Sequence, residues 1–292
     1  MRVPQFKYFA PKTIEEACSF CATHPQGALV LAGGTDLLAK MKMRKIVPQY
    51  LLNLKTIPEL NAITYEEGMG LRIGALTTIE AIKNSIVVQR RCKILAQAAA
   101  VESSVQIRNL ATLGGNIANA SPAADAPLAL MAAAATVVLA GVGGEREILL
   151  EKFFVGPGKT LLKPGELIKE VHVPPAAPKT GVAYRKHSLR RTDIAIVSAA
   201  VVLTLADDVC TDIKIGMGSV APTIIRAPRC EALVTGQRIT EELADAVAQE
   251  AVAEAAPISD VRGTAEYRSR AIFELTKSAL LQAARDARMG GF

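Results

Sequence analysis

The 292-residue chain has no tryptophan and only 4% aromatic residues, although 50% of its residues are hydrophobic. Its core must therefore be built mainly from Ala, Val, Leu and Ile. Nucleic-acid interfaces combine clustered basic residues with aromatics that stack on bases. The basic clusters at residues 40–45, 185–191 and 262–270 are not interleaved with a series of aromatics. The net charge of +6 therefore indicates solubilising charge and some phosphate binding, not a nucleic-acid partner.

Cysteine and histidine are too few to predict a disulfide framework or a metal centre. The five cysteines are an odd number and no secretory segment is recognisable, so we expect reduced thiols and a cytoplasmic protein. The three histidines, His24, His172 and His187, share no metal-ligand spacing. The longest apolar stretch, residues 126–141, is shorter than the about 20 residues of a membrane helix, so no membrane span is expected.

Cys18 and Cys21 are spaced so that a helix would place both thiols on one face. An iron–sulfur cluster normally needs four cysteinates, and the sequence contains no second close pair. Packing in a core is therefore the favoured interpretation, with a cluster as the alternative.

The first 55 residues predict a small parallel α/β unit. Thr13, followed three residues later by Glu16, is typical of a helix start. The short apolar run 28–32, bounded by turn residues, indicates a buried strand, and a second strand is predicted at 50–54. A helical pattern at 37–42 separates them. Alternation of helices and strands is typical of a parallel sheet.

The rest of the chain divides at residues 174–180, whose Pro and Ala content is typical of a linker. Before this stretch we predict strands and helices at residues 71–75, 78–82, 94–101, 136–140 and 166–173. After it we predict three antiparallel strands and then helices, at residues 181–185, 195–206, 211–220, 241–256 and 264–289. Strands followed by helices predict a separate α+β domain.

Two glycine-rich loops are the most informative chemistry in the sequence. Gly33-Gly34 stands where a strand ends and a helix begins, so its backbone can approach a ligand closely and offer free N–H groups to an anion. One isolated Gly-Gly pair is more often an ordinary turn. The second loop, residues 112–116, leads into a polar stretch within an apolar region. Buried polar groups need partners, so two such loops predict a clamp around a diphosphate.

Two common nucleotide motifs are missing. No Gly-x-Gly-x-x-Gly follows the first strand, which disfavours the ordinary dinucleotide-binding fold. Residues 156–160 mimic the end of a P-loop, but Phe153 stands where that motif requires glycine, so we interpret the segment as a loop.

Six ordered motifs together resemble the flavin subunit of the xanthine dehydrogenase and carbon monoxide dehydrogenase group. They cover almost the whole chain and lie at residues 32–36, 112–125, 154–160, 165–168, 190–193 and 260–268. The resemblance implies the FAD-binding fold of vanillyl-alcohol oxidase at residues 1–175, in subdomains 1–55 and 56–175. A small α+β domain with a three-stranded antiparallel sheet and helices would follow at 181–289. The overall fold class implied by the resemblance is α+β.

The resemblance also implies FAD as cofactor, no catalytic side chain and no metal ligand. By position, the first loop would wrap the pyrophosphate and the second would complete the clamp. Asp125 would accept hydrogen bonds from the ribityl or ribose side, Ile168 would contact FAD through its backbone, and Lys186 would stabilise reduced flavin. The implied cofactor-binding residues are Val30, Leu31, Ala32, Gly33, Gly34, Thr35, Asp36, Leu37, Thr112, Leu113, Gly114, Gly115, Asn116, Asp125, Ile168, Lys186 and Ile194.

The partners implied by the resemblance are a molybdopterin-binding large subunit and a [2Fe–2S] small subunit. Electrons would reach FAD from those clusters and leave to NAD+, a quinone or another carrier. Ile194, where the carbon monoxide enzymes have tyrosine, favours NAD+. Glu102 stands where the animal xanthine enzymes have an aromatic residue, so that contact with the cofactor is in doubt. A free-standing FAD-dependent oxidase of the same fold is the alternative.

Overall fold

The computed structural model describes residues 2–291 and begins with a small parallel α/β unit. Its elements are β1 (Lys7–Phe9), α1 (Ile14–Thr23), β2 (Ala28–Leu31), α2 (Leu37–Lys42) and β3 (Tyr50–Asn53). The strands pair in parallel in the order β1-β3-β2. At the start of α1, Thr13 Oγ1 accepts a hydrogen bond from the Glu16 amide at 3.2 Å. The predicted parallel unit is confirmed, and β1 is an additional strand too short for its pattern to be recognised.

Two short 3-10 turns, Leu54–Thr56 and Pro58–Leu60, lead into a larger region built on a five-stranded antiparallel sheet. The sheet order is β4-β5-β10-β6-β7. The elements of this region are β4 (Ile63–Glu66), β5 (Gly70–Gly74), α3 (Ile79–Asn84), α4 (Ile86–Arg91), α5 (Lys93–Val101), α6 (Val105–Arg108), α7 (Leu113–Asn119), α8 (Asp125–Ala132), β6 (Thr136–Gly141), β7 (Gly144–Leu149), α9 (Leu150–Phe153), β8 (Phe154–Gly156), β9 (Lys159–Thr160) and β10 (Leu167–Val173).

The C-terminal region is an antiparallel sheet covered by helices. Its elements are β11 (Thr180–His187), β12 (Val197–Ala206), β13 (Val209–Gly218), β14 (Ile225–Arg226), α10 (Pro228–Val234), α11 (Glu241–Glu254) and α12 (Ala265–Arg288). The three predicted long strands are confirmed. A two-residue fourth strand, β14, makes the sheet four-stranded, because such a short strand carries no alternating pattern. The C-terminal helical pattern forms one long helix, α12.

Helix α8 joins the antiparallel region to the C-terminal sheet. All eight of its residues are buried, and it contacts both β12 and β13. Helix α8 and strand β6 together form the long apolar stretch at residues 126–141. Among the described residues, no helix is long and apolar enough to cross a membrane.

The cysteine pair lies in the core of the N-terminal region. Cys18 and Cys21 are both buried, and the Cys18 thiol donates to the carbonyl oxygen of Ala140 on β6 at 3.3 Å. Burial raises the pKa of each thiol to about 11, so both stay protonated at neutral pH. Within residues 2–291 no metal-binding group of three or more His, Cys, Asp or Glu side chains occurs. The prediction of core packing is confirmed.

The packing of α12 on β11 yields a stability prediction. A Cβ atom added at Gly181 would lie 2.0 Å from the Ala283 carbonyl oxygen and 2.3 Å from the Ala287 amide nitrogen. Because backbone atoms of a helix cannot yield locally, we expect Gly181→Ala to lower the free energy of unfolding by about 3 kcal/mol. Gly143→Ala is the control, since no heavy atom lies within 4 Å of its added Cβ. Equal urea midpoints for the two variants would contradict this packing.

Candidate functional site

The two glycine loops line one cavity of about 390 Å³, a volume within the usual range for ligand sites. Its walls come from β2 and α2, from the start of α7, and from the chain before and within β10. The residues that line it are Leu29, Val30, Ala32, Gly33, Gly34, Thr35, Asp36, Leu37, Lys40, Ile46, Leu54, Ala75, Leu76, Ala111, Thr112, Gly114, Gly115, Asn116, Ala118, Asn119, Leu162, Glu166, Leu167 and Ile168.

Gly33 brings the two loops into backbone contact. A Cβ atom at this position would lie 2.2 Å from the carbonyl oxygen of Leu110, just before the second loop. Gly34 has φ +78, a left-handed conformation that strains other residues, and its Cβ would lie 2.9 Å from a methyl carbon of Leu31. Both glycines therefore serve the packing of the protein itself, in addition to any ligand.

The first loop presents a row of free backbone donors. Within residues 2–291, the N–H groups of Gly33, Gly34, Thr35, Asp36 and Leu37 find no protein acceptor. All five residues line the cavity. Backbone N–H groups without partners are costly when they are also shielded from water, so successive free donors around a cavity match a ligand rich in acceptor oxygens. The pyrophosphate of a dinucleotide has this chemistry.

The second loop is fixed to the end of β5. The amides of Leu113 and Gly114 donate to the carbonyl oxygens of Thr77 and Ala75 at 3.0 and 2.8 Å. A Cβ at Gly114 would lie 2.6 Å from the Ala75 Cβ, so this glycine is required by packing. Gly115 differs, because the nearest atoms to an added Cβ are the Thr112 hydroxyl at 2.8 Å and the Ala32 Cβ at 3.7 Å. Gly115 therefore keeps this part of the cavity open.

Polar side chains connect the two loops at the rim. Lys40 Nζ donates to Asn119 Oδ1 at 3.1 Å, and Asn119 Nδ2 donates to Asp36 Oδ1 at 3.4 Å. Sequence reasoning did not select Lys40 as a site residue. Lys40 lies four positions after Asp36, which places both side chains on the same face of the predicted helix, and this spacing could have indicated it.

The opposite wall carries Ile168 together with Glu166. Ile168 is buried on β10 and lines the cavity, and its backbone contact with FAD stays a prediction. Glu166 was not selected from the sequence. It forms a two-point ion pair with Arg146 at 2.7 Å for each contact, and this pairing lowers the pKa of the Glu166 carboxyl.

Asp125 and Lys186 form a buried ion pair that does not line the cavity. Lys186 Nζ donates to Asp125 Oδ2 at 2.7 Å, and the Tyr184 hydroxyl donates to Asp125 Oδ1 at 2.6 Å. Both side chains are at least 94% buried, with exposures of 4% for Lys186 and 6% for Asp125. Neither residue is among those that line the cavity, so their contact with FAD stays a prediction.

Three further predicted residues also lie off the cavity walls. Leu31 points its side chain toward Gly34, and Leu113 is fully buried in the core. Ile194 is 51% exposed in the connection between β11 and β12. The P-loop-like segment, which was expected to be a loop, forms the β8–β9 hairpin, and it does not line the cavity either.

A second acid, Glu102, is buried behind the second loop and was not selected from the sequence. Its Oε1 atom accepts a hydrogen bond from Asn116 Nδ2 at 2.5 Å, whereas Glu102 Oε2 and Asn116 Oδ1 are buried without a partner among the described residues. Burial, followed by the nearby carboxylate of Asp125, raises the pKa of Glu102 to about 8. Asn116 lines the cavity and so connects Glu102 to it.

Comparison with known proteins assigns this architecture to a family. A family described as the FAD binding domain in molybdopterin dehydrogenase matches residues 4–176, and one described as the CO dehydrogenase flavoprotein C-terminal domain matches residues 159–283. The carbon monoxide dehydrogenase medium chain of Hydrogenophaga pseudoflava is 37% identical over 95% of this chain and 96% of its own length. The xanthine dehydrogenase FAD-binding subunit of Escherichia coli O157:H7 is 30% identical, covering 94% of this chain and 95% of that subunit.

A solved structure agrees with the sequence comparison. Carbon monoxide dehydrogenase from Hydrogenophaga pseudoflava, in a form that lacks the Mo-pyranopterin moiety, has a chain with a TM-score of 0.94 at 38% identity. The similarity covers 97% of this chain and 98% of that one. The chain belongs to the family of FAD-binding medium subunits of molybdenum hydroxylases. It is an oxidoreductase subunit with FAD as its cofactor, as the sequence motifs predicted.

Proposed function

We propose that the glycine-loop cavity holds the pyrophosphate of FAD, and that the chain passes electrons within a molybdenum hydroxylase complex. The observation that carries the proposal is the row of five free N–H groups from Gly33 to Leu37 on the cavity wall. Bound FAD supplies the capacity to collect electrons arriving singly from [2Fe–2S] clusters of a partner subunit and deliver them to NAD+, a quinone or another acceptor. The residues of this chain bind and orient the cofactor.

Each wall has a distinct part in this proposal. The Gly33–Leu37 amides and the Thr35 hydroxyl donate to the phosphate oxygens. Gly115 has no side chain and so leaves space for the ligand at the facing wall. Lys40 offers a positive charge at the rim. The apolar residues Val30, Leu76 and Ile168 line the remainder of the cavity.

The partner assembly is a molybdopterin-binding large subunit with a [2Fe–2S] small subunit. We place the boundary between the FAD-binding part and the C-terminal domain at residues 174–180, between β10 and β11. The five free, buried cysteines fit a reducing cytoplasm. NAD+ is the acceptor that the aliphatic Ile194 favours.

A free-standing FAD oxidase is the second candidate for the same fold. Co-expression of the full chain with its neighbouring molybdenum and iron–sulfur subunits distinguishes the two. We expect one complex with all three subunits and FAD, and reduction of the flavin only when the iron–sulfur subunit is present. Flavin reduction by an organic substrate in the isolated chain would support the free-standing oxidase.

The Thr35 hydroxyl gives a direct test of the pyrophosphate position. Thr35→Val removes a hydroxyl donor at nearly constant shape, and a hydrogen bond to a charged group is worth enough that we expect FAD to dissociate about tenfold more readily. Flavin fluorescence during titration of the full chain measures this affinity. Thr64→Val, on the exposed face of β4, is the matched control and should bind FAD as the unmodified chain does. Equal affinities for the two variants would refute this placement of the phosphates.

A further inference from the structure

The wall behind Asn116 holds one buried carboxyl group, that of Glu102, which forms no ion pair among the described residues. The other two carboxyl groups are paired: Asp125 with Lys186 at 2.7 Å, and Glu80 with Arg108 at 2.6 Å and with Lys83 at 2.8 Å. Glu102 is only 7% exposed, and its side-chain partner is the neutral amide of Asn116. An ionised Glu102 would be a buried carboxylate without an ion-pair partner, which is costly in a protein interior.

The groups that face Glu102 come from four elements. Asp125 begins α8 and raises the pKa of Glu102, whereas the Ala126 backbone amide, Lys186 on β11 and Arg108 on α6 lower it. The Tyr184 hydroxyl on β11 and the Lys186 ammonium both donate hydrogen bonds to the carboxylate of Asp125. Asn116 on α7 supplies a neutral amide, which binds a protonated acid without requiring a counter-charge.

The backbone positions Glu102 in this wall at a conformational cost. The next residue, Ser103, has φ +48, which is unfavourable for a residue other than glycine. Arg108 Nη1 holds the turn by donating to the carbonyl oxygens of Glu102 and Ser103 at 3.1 and 2.8 Å. The turn therefore holds Glu102 against Asn116, with Oε2 left as a buried polar atom that no described residue satisfies.

We propose that Glu102 is a positioning residue for the cofactor site, which holds a proton and fixes Asn116 in the cavity wall as long as it stays neutral. This inference rests on the proposed FAD site. The neutral acid accepts from Asn116 and adds no charge behind the binding site. Loss of the proton would place a negative charge close to an anionic ligand.

The sign of the pH dependence follows from the direction of the pKa shift. Burial raises the pKa of Glu102 from 4.5 to about 8, so the folded protein holds this proton over a pH range in which the unfolded chain releases it. The contribution of Glu102 to the free energy of unfolding is therefore complete below about pH 4.5. It decreases as the pH rises and is lost above about pH 8. A bound anion raises this pKa further, so by linkage FAD binding weakens as pH rises through 8.

The test measures FAD affinity of the full chain by flavin fluorescence at a series of pH values from 6.5 to 9.5. We expect wild type to bind FAD about tenfold more weakly at the alkaline end, the effect of one nearby charge at an effective dielectric constant near 20. Glu102→Gln, a neutral mimic of the protonated acid, should retain its neutral-pH affinity throughout. Glu67→Gln, in an exposed turn, is the control for loss of one carboxylate and should follow wild type. Parallel pH profiles for wild type and Glu102→Gln would overturn the inference.

Infrared spectroscopy supplies a readout that needs neither FAD nor activity. At pH 6.5 the spectrum of wild type minus that of Glu102→Gln should contain the carbonyl band of a protonated carboxyl group, and in wild type this band should titrate near pH 8. Absence of the band would overturn the inference even if FAD binds normally. A wild-type chain that shows the band but binds no FAD at any pH would instead refute the proposed function.

Discussion

The close approach of Gly33 to the Leu110 carbonyl is the contact on which the candidate site depends. It joins a loop of the parallel unit to a loop of the antiparallel region, although 77 positions separate the two residues in the printed sequence. No side chain fits between the two backbones. With the loops in contact, the N–H groups that follow Gly33 lie on the same cavity as Gly115 and Asn116. The site is thus a consequence of packing between two regions of the chain.

The same contact explains why the loop glycines have different purposes. Gly33 and Gly114 are required by neighbouring protein atoms, and Gly34 also by its left-handed backbone. Of these four, Gly115 is the one whose added Cβ would meet only two atoms within 4 Å, both in side chains. The loops are therefore held in shape before a ligand binds, and preorganised donors lose less entropy when they bind an anion. Behind them, Glu102 contacts the second loop through its buried hydrogen bond with Asn116.

Much of this arrangement was predictable from the sequence. The parallel unit, the long C-terminal strands and α12 follow from local hydrophobic patterns, and the ordered motifs identified the family. The strands that were not predicted are β1, β4, β7, β8, β9 and β14. All except β7, which has six residues, are two to four residues long, which is too short for a pattern. The role of Glu102 as a buried acid beside the cavity was not predicted, for another reason. Its importance depends on which cations are already paired in three dimensions, and a sequence does not contain that information. The wall position of Lys40 likewise depends on how α2 meets α7.

The central claim, that the Gly33–Leu37 amides bind the FAD pyrophosphate, is tested most directly by amide hydrogen exchange of the full chain with and without FAD. These five amides have no protein acceptor within the described residues, so they should exchange rapidly without ligand and become protected when FAD binds. The amides of Gly114 and Gly115, which already donate to Ala75 and Thr112, should change less. Protection that appears elsewhere while residues 33–37 continue to exchange rapidly with FAD bound would contradict the account.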